Sequence, residues 1–190
     1  IFLYEYKHQR KQRTAEYPDI YDEEVVKNTT RNGVITDLAV NCARAGKTVL
    51  IAVTKIEHGQ ILEKMLQVHD PSALFVCGES DSQERQTVLK ELDKHERNIV
   101  ICTTIFGEGV DCPGLDVLIN AKAAASSVDS FQLIGRVLRQ AKDKNKAYVI
   151  DIFDHACKYL EAHANARLRI YESESEYEIQ KIQAVNQVVL

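Results

Sequence analysis

Gln132, Arg136 and Arg139 stand at i, i+4 and i+7 of a stretch, Ser130 to Arg139, whose spacing predicts a helix. All three then project from one face, while Val128, Phe131, Ile134 and Leu138 form an apolar stripe beside them. Two guanidiniums aimed together suit a phosphate, because the planar fork of arginine matches two phosphate oxygens and never loses its charge. On these residues alone, a solvated helix face with two arginines is the competing account.

A second stretch sits just upstream. Ile99 to Thr103 reads as a buried strand that breaks, through Thr103 and Thr104, into a loop with Gly107, Gly109, Asp111 and Pro113. Ligands bind at the carboxyl ends of strands in open α/β sheets. Two threonines there offer hydroxyls and backbone amides without charge, which suits a phosphate backbone whatever its sequence. Gly109 lets the main chain come close or take positive φ, and Asp111 can accept from a ribose hydroxyl.

Two other patterns mimic nucleotide chemistry. Gly46-Lys47-Thr48 resembles the end of a P-loop, but the first glycine of that motif would fall on Asn41, and the element order runs helix, then strand. Gly46 is expected to cap the preceding helix instead. Ala147 to Asp154 resembles an acidic Walker B strand; Asp151 and Asp154 are expected as a strand-end turn and a helix N-cap.

These groups need a frame. From Thr48 onward, β-branched runs alternate with helical spacing, the sequence form of βαβ units. Strands are expected at Thr48–Val53, Ala73–Cys77, Ile99–Thr103, Val117–Asn120 and Ala147–Ile152, with helices at Glu57–Leu66 and Ser82–Leu92. The strands are apolar on both faces, as in a parallel sheet covered on each side. Tyr21 to Arg44 reads as one helix packing on the sheet edge. The first dozen residues look like a polar linker or strand exit, Asp154 to Tyr171 like a further helix, and Glu172 to Glu178 like an acidic tail. The expected division is 1–45 linker and N-terminal helices, 46–153 core, and 154–190 C-terminal helix and tail.

Bulk properties narrow the class. The 190 residues are 45% hydrophobic and 27% charged, the balance of a globular protein. No apolar run approaches the roughly 20 residues of a membrane helix, so no membrane partner is expected. The net charge of -4 excludes a generally basic nucleic-acid coat, and any such contact must be local. Five scattered cysteines without a CxxC pair point to a reducing, cytoplasmic setting and no metal site. The chain opens at Ile1 without an initiator methionine, which suggests a piece of something longer.

The string Gln132-Leu-Ile-Gly-Arg-Val-Leu-Arg139 resembles motif VI of the superfamily 2 helicases, and Gly107-Glu-Gly-Val-Asp-Cys-Pro113 resembles their motif V. Thr48 to Thr54 is similar to the motif IV strand, and Cys77-Gly78-Glu79 with Arg85 to the segment before the next helix. The resemblance spans Thr48 to Asp151. It implies a RecA-like three-layer αβα fold with a mainly parallel sheet and a C-terminal helical extension. In that family two RecA-like domains close on ATP, and this chain has the features of the second. The resemblance makes Arg139 the arginine finger, Arg136 a phosphate or inter-domain contact, and Gln132, Gly109 and Asp111 ATP-binding residues. Thr54, Gly78, Thr103 and Thr104 map to the nucleic-acid track. ATP and Mg2+ would be held mainly by an absent N-terminal RecA-like domain, the expected partner in the same protein.

The helix with Tyr159, His163, Arg167, Arg169 and Tyr171 looks like the tail of phage and bacterial DNA motors of the XPB and UvsW kind, which favours DNA over RNA. Bulky Val137 and Leu138 fit a DEAD-box RNA helicase less well. Two other classes stay open: a RecA-like nucleic-acid-binding or regulatory module that never hydrolyses ATP, and a free-standing enzyme using Asp151 and Asp154 as metal ligands.

Overall fold

The structure, a computed structural model, describes residues 1–8, 16–103, 112–125 and 146–190. The elements in chain order are β1 (Phe2–Tyr6), α1 (Tyr17–Tyr21), a π-helical turn (Asp22–Val26), α2 (Thr29–Arg44), β2 (Val49–Ala52), α3 (Ile56–Gln67), β3 (Leu74–Val76) and α4 (Ser82–Asp93). They continue with β4 (Ile99–Cys102), β5 (Val117–Asn120), β6 (Tyr148–Asp154), α5 (Lys158–Glu172) and β7 (Gln180–Ile182). Among the described residues seven strands make one sheet in the order β3-β4-β2-β5-β6-β1-β7. Every pairing is parallel.

Strand periodicity divides the core into two layers. Val49, Ile51, Ile99, Ile101, Val117, Ile119, Ile150 and Ile152 face one side, where α2 lays down Ile35, Leu38, Ala39 and Cys42 and α3 adds Leu62 and Leu66. Leu50, Val100, Leu118, Val149 and Phe153 face the other, against Val88, Leu89 and Leu92 of α4 and Ala164 and Tyr171 of α5. This is the three-layer arrangement read from the alternating pattern and the RecA-like fold that the resemblance implies, with a wholly parallel sheet among the described residues.

Four local expectations change. Phe2–Tyr6 is a strand inside the sheet, between β6 and β7, so two of the seven strands come from outside residues 46–153. Its Phe2, Tyr4 and Tyr6 are apolar enough to be buried, a signal outweighed in the sequence by the basic residues that follow. The Tyr21–Arg44 helix breaks at Lys27 and Asn28, because the Asn28 side chain accepts from Arg31 N at 3.0 Å and starts a new helix there. That helix, α2, packs over the middle of the sheet rather than its edge. Asp154 is neither turn nor N-cap: it ends β6, fully buried, and Cys157 precedes α5. Downstream of the acidic run, Gln180–Ile182 adds a strand beside β1.

The end of α2 settles the P-loop question. Gly46 has φ +76°, Gly46 N donates to Ala43 O at 2.9 Å, and Lys47 N donates to Cys42 O at 3.1 Å. This is a Schellman cap, in which carbonyls rather than amides face outward. Thr48 turns inward, its amide donating to Asp116 Oδ2 at 3.0 Å and its hydroxyl to Gly114 O at 2.9 Å.

His58 of α3 is fully buried, with Nε2 2.9 Å from Asn32 Oδ1, and Asn32 Nδ2 donates to Val26 O at 2.8 Å. Burial, and then the charge of Arg31, push its pKa down to about 3. The unfolded chain therefore binds a proton near pH 6.5 that the folded chain refuses until about 3. Stability from this site is full above pH 6.5 and falls as pH drops through that window. Urea unfolding of the chain is expected to show a slope of up to about 1.4 kcal/mol per pH unit between pH 6 and 4.5. His58→Gln, which can still donate to Asn32, should flatten it; equal slopes in both proteins would show that His58 titrates normally.

Candidate nucleic-acid interface

β3, β4 and β2 are neighbours, and Val76, Cys102 and Ala52 sit in mutual register at their carboxyl ends. The residues that leave the sheet just beyond them are Gly78, Thr103 and Thr54. At roughly 4.8 Å per strand, three such exits make a ledge on the order of 10 Å across. Thr54 and Gly78 are exposed and Thr103 is half-buried, its amide donating to Val76 O at 3.4 Å. The fold thus gathers three of the expected nucleic-acid residues. Thr104, Gly109, Asp111, Gln132, Arg136 and Arg139 lie outside the described residues.

The turn carrying Gly78 is built by its own polar groups. Ser80 N donates to Cys77 O at 3.0 Å, and Cys77 N donates to the Ser80 hydroxyl at 3.1 Å. Arg85, one turn into α4, donates from Nη1 to Gly78 O at 2.9 Å and to Ser80 O at 3.0 Å. Asp81 caps the same helix, accepting from Gln83 N at 2.6 Å. A side chain at Gly78 would meet no protein atom within 4 Å, so the position is open outward. The sequence placed Arg85 beside Gly78 only through family resemblance; that its guanidinium binds the turn's carbonyls needs the helix to fold back over it.

Thr54 leads to residues the sequence did not single out. Tyr21, 5% exposed, donates from its hydroxyl to Lys122 O at 2.7 Å. Burial raises the Tyr21 pKa, and a hydrogen bond with Thr54 partly opposes the rise, so the phenol keeps its proton. Lys55 Nζ lies 5.7 Å from the centre of the Tyr21 ring and pairs with Asp22. That hydrogen bond raises the Lys55 pKa, and the half-exposed ammonium is a cation beside Thr54.

At the far side of the sheet's carboxyl edge, Asp151 and Asp154 point to opposite faces of β6. Asp154 accepts from Arg31 Nε at 2.7 Å and Nη2 at 3.1 Å. Asp151 accepts from Arg167 Nε at 2.9 Å and Nη2 at 2.8 Å, from the Tyr171 hydroxyl at 2.6 Å, and from Asn120 Nδ2 at 2.8 Å. Burial, and then the charge of Asp151, push the Tyr171 pKa well up, which keeps it a donor. Their oxygens are spent on this protein's own donors, a structural role. Of the residues named on the C-terminal helix, Arg167 is 1% exposed, while Arg169 is exposed and His163 half-buried.

Comparison with known proteins follows the same lines. The family described as "Helicase conserved C-terminal domain" matches residues 31–141, a stretch that includes both arginines and the glycine loop. The ATP-dependent DNA helicase uvsW of Enterobacteria phage T4 is 28% identical over 128 residues, covering 66% of this chain and 25% of the relative. The putative ATP-dependent helicase IRC3 of Saccharomyces cerevisiae is 28% identical over 104 residues, 55% of this chain and 15% of its own length. The match thus spans a quarter or less of either relative. The crystal structure of T4 UvsW superposes with TM-score 0.74 at 20% identity, over 96% of this chain and 40% of that one. S. cerevisiae Dbp5 bound to RNA and ADP BeF3 superposes with TM-score 0.62 at 17% identity, over 80% of this chain and 38% of that one. At these identities the two structures establish the shared fold.

The Gly78 turn generates a direct test. Arg85→Met keeps the aliphatic stem but removes the guanidinium's bonds to the carbonyls of Cys77, Gly78 and Ser80. Amide exchange at Ser80 should accelerate by roughly tenfold, the equivalent of about 1.4 kcal/mol of local protection, with the exchange of β2 amides unchanged. Unaltered exchange at Ser80 would show that the turn holds itself.

Proposed function

Since the chain belongs to the family of helicase conserved C-terminal domains, we propose that it is the second RecA-like motor domain of an ATP-dependent DNA helicase or translocase of superfamily 2. The observation that carries this reading is the ledge of Thr54, Gly78 and Thr103 on three adjacent parallel strands, in a chain whose family match also takes in Asp111, Gln132, Arg136 and Arg139. In the proposed cycle Thr54, Gly78, Thr103 and Thr104 hold the phosphate backbone of one strand without reading bases. Gly109 and Asp111 accept the ribose side of ATP, Gln132 senses the nucleotide, and Arg136 and Arg139 reach its γ-phosphate across the cleft. A first RecA-like domain supplies the P-loop and holds most of the ATP and its Mg2+. DNA is favoured by the name of the T4 relative, and an intracellular, reducing setting by five free cysteines, four of them buried.

The mechanistic core is electrostatic. Charge develops on the transferring phosphoryl group, and a guanidinium positioned for that state lowers the barrier more than it strengthens ground-state binding. In the full-length protein, Arg139→Ala should therefore depress ATP turnover by about 10³-fold or more while leaving ATP affinity within a few-fold. Arg139→Lys should rescue poorly, because it keeps the charge without the fork. Turnover within a few-fold of wild type at saturating DNA would defeat the finger assignment and favour a RecA-like binding module that does not hydrolyse ATP.

The ledge makes a separate claim. Replacing Thr103 and Thr104 together by Val in the full-length protein should weaken binding to single-stranded DNA by a similar factor for every base composition, with ATP affinity retained. Wild-type DNA affinity in a filter-binding or anisotropy titration would confine the two threonines to a structural role.

A further inference from the structure

Beyond β5 the main chain runs through Ala121, Lys122, Ala123 and Ala124, and each of these four consecutive carbonyls meets a side chain from another element. Arg31 Nη2 of α2 donates to Ala121 O at 3.2 Å, and the Tyr21 hydroxyl of α1 donates to Lys122 O at 2.7 Å. His163 Nδ1 of α5 stands 3.3 Å from Ala123 O, and Arg167 Nη1, also of α5, donates to Ala124 O at 2.9 Å. On the amide side, Ala121 N continues the ladder to Ala52 O at 3.0 Å.

At the centre of this strap, Ala123 has φ +54° and is 1% exposed. A residue with a Cβ enters the left-handed region only at a cost, and persists there when its surroundings over-determine it. Four fixed carbonyls are such a surrounding. Here two arginines committed to Asp154 and Asp151 also reach the strap, Arg31 through the same Nη2 that bonds Asp154 and Arg167 through Nη1, so its placement is tied to β6, α2 and α5 together.

The sequence that follows the strap is the one bearing Gln132, Arg136 and Arg139. We propose that Tyr21, Arg31, His163 and Arg167 are positioning residues that hold the Ala121–Ala124 strap, and so fix the point from which the chain departs toward the arginines that serve ATP turnover. The inference rests on the motor-domain reading above. Its physical stake is alignment: a displacement of about 1 Å in a group that acts on the transition state can cost about 100-fold in rate.

Two variants separate positioning from folding. Tyr21→Phe deletes one hydroxyl and keeps the ring among Tyr17 and Lys55. Ala123→Gly relieves the left-handed backbone but frees the strap to take other conformations. In the full-length protein, each is expected to lower the kcat of DNA-stimulated ATP hydrolysis at least fivefold, with KM for ATP and the thermal midpoint close to wild type. Arg139→Ala, measured alongside, reports on the underlying reading. If Arg139→Ala loses turnover while Tyr21→Phe and Ala123→Gly both keep it within twofold, the strap is only a strand terminator. Turnover lost only in step with a lowered midpoint in both variants overturns the proposal equally. If Arg139→Ala itself turns over normally, the motor reading is what has failed.

Discussion

Two carboxylates on one strand organise this domain. Asp151 and Asp154 differ in parity along β6, so one faces each layer of helices, and each is met there by an arginine with two nitrogens on its two oxygens. Burying four charges is costly, and the cost is recovered only when geometry and supporting hydrogen bonds are both good. Tyr171, Asn120 and the carbonyls of Ala121, Ala124 and Ile152 supply that support. The pairs add a constraint that apolar packing lacks. A sheet face will accept a helix slid by a fraction of a turn, whereas a two-pronged ion pair will not, so α2 and α5 are fixed in register as well as in contact.

The same geometry links regions far apart in the chain. Arg31 stands at the start of α2 and Arg167 late in α5, yet both reach the four residues that leave β5. The charge of Arg31 also bears on His58, lowering a pKa already depressed by burial. One guanidinium therefore acts on a strand end, on a strap and on the polar contact of Asn32 with α3. The opposite portion of the carboxyl edge, at β3, β4 and β2, uses lighter chemistry: backbone turns, exposed threonine and glycine, and one partly exposed lysine. That contrast suits the two tasks proposed for the edge. A phosphate backbone is held by contacts that tolerate sliding, while a reacting phosphate needs donors whose positions do not relax.

Much of this was legible in the residues themselves. Apolar runs at Val49–Ala52, Ile99–Cys102 and Val117–Asn120 are buried on both faces, and such runs alternating with helical spacing fit a covered parallel sheet better than an antiparallel one, so layer and class followed from pattern. Gly46 after the apolar stripe of α2 announced a helix end, which disposed of the apparent P-loop. The spacing of Gln132, Arg136 and Arg139, together with the glycine loop before it, carried the family, which the match over residues 31–141 shows. Thr54 and Gly78 were named through the family resemblance and Thr103 from its place at a strand end, and the sheet brings the three strand exits side by side.

Other features depended on partners distant in sequence, and no local pattern encodes those. Phe2–Tyr6 became a sheet strand because β6 and β7 flank it, from the other end of the chain. Asp151 and Asp154 looked like turn and cap residues, because a charged side chain is ordinarily solvated; only the meeting of α2, β6 and α5 makes their burial, and that of Arg31 and Arg167, tolerable. Tyr21 carries no signal of its own, and its role comes from one hydroxyl arriving at one carbonyl 101 positions away. The sequence by itself determined the strand periodicities, the Gly46 cap and the family motifs, which short stretches of chain specify unaided. Which helix covers which strand, which charges are buried together, and what grips the exit of β5 were decided by tertiary structure, where the energy of each such group depends on the neighbour that replaces its water.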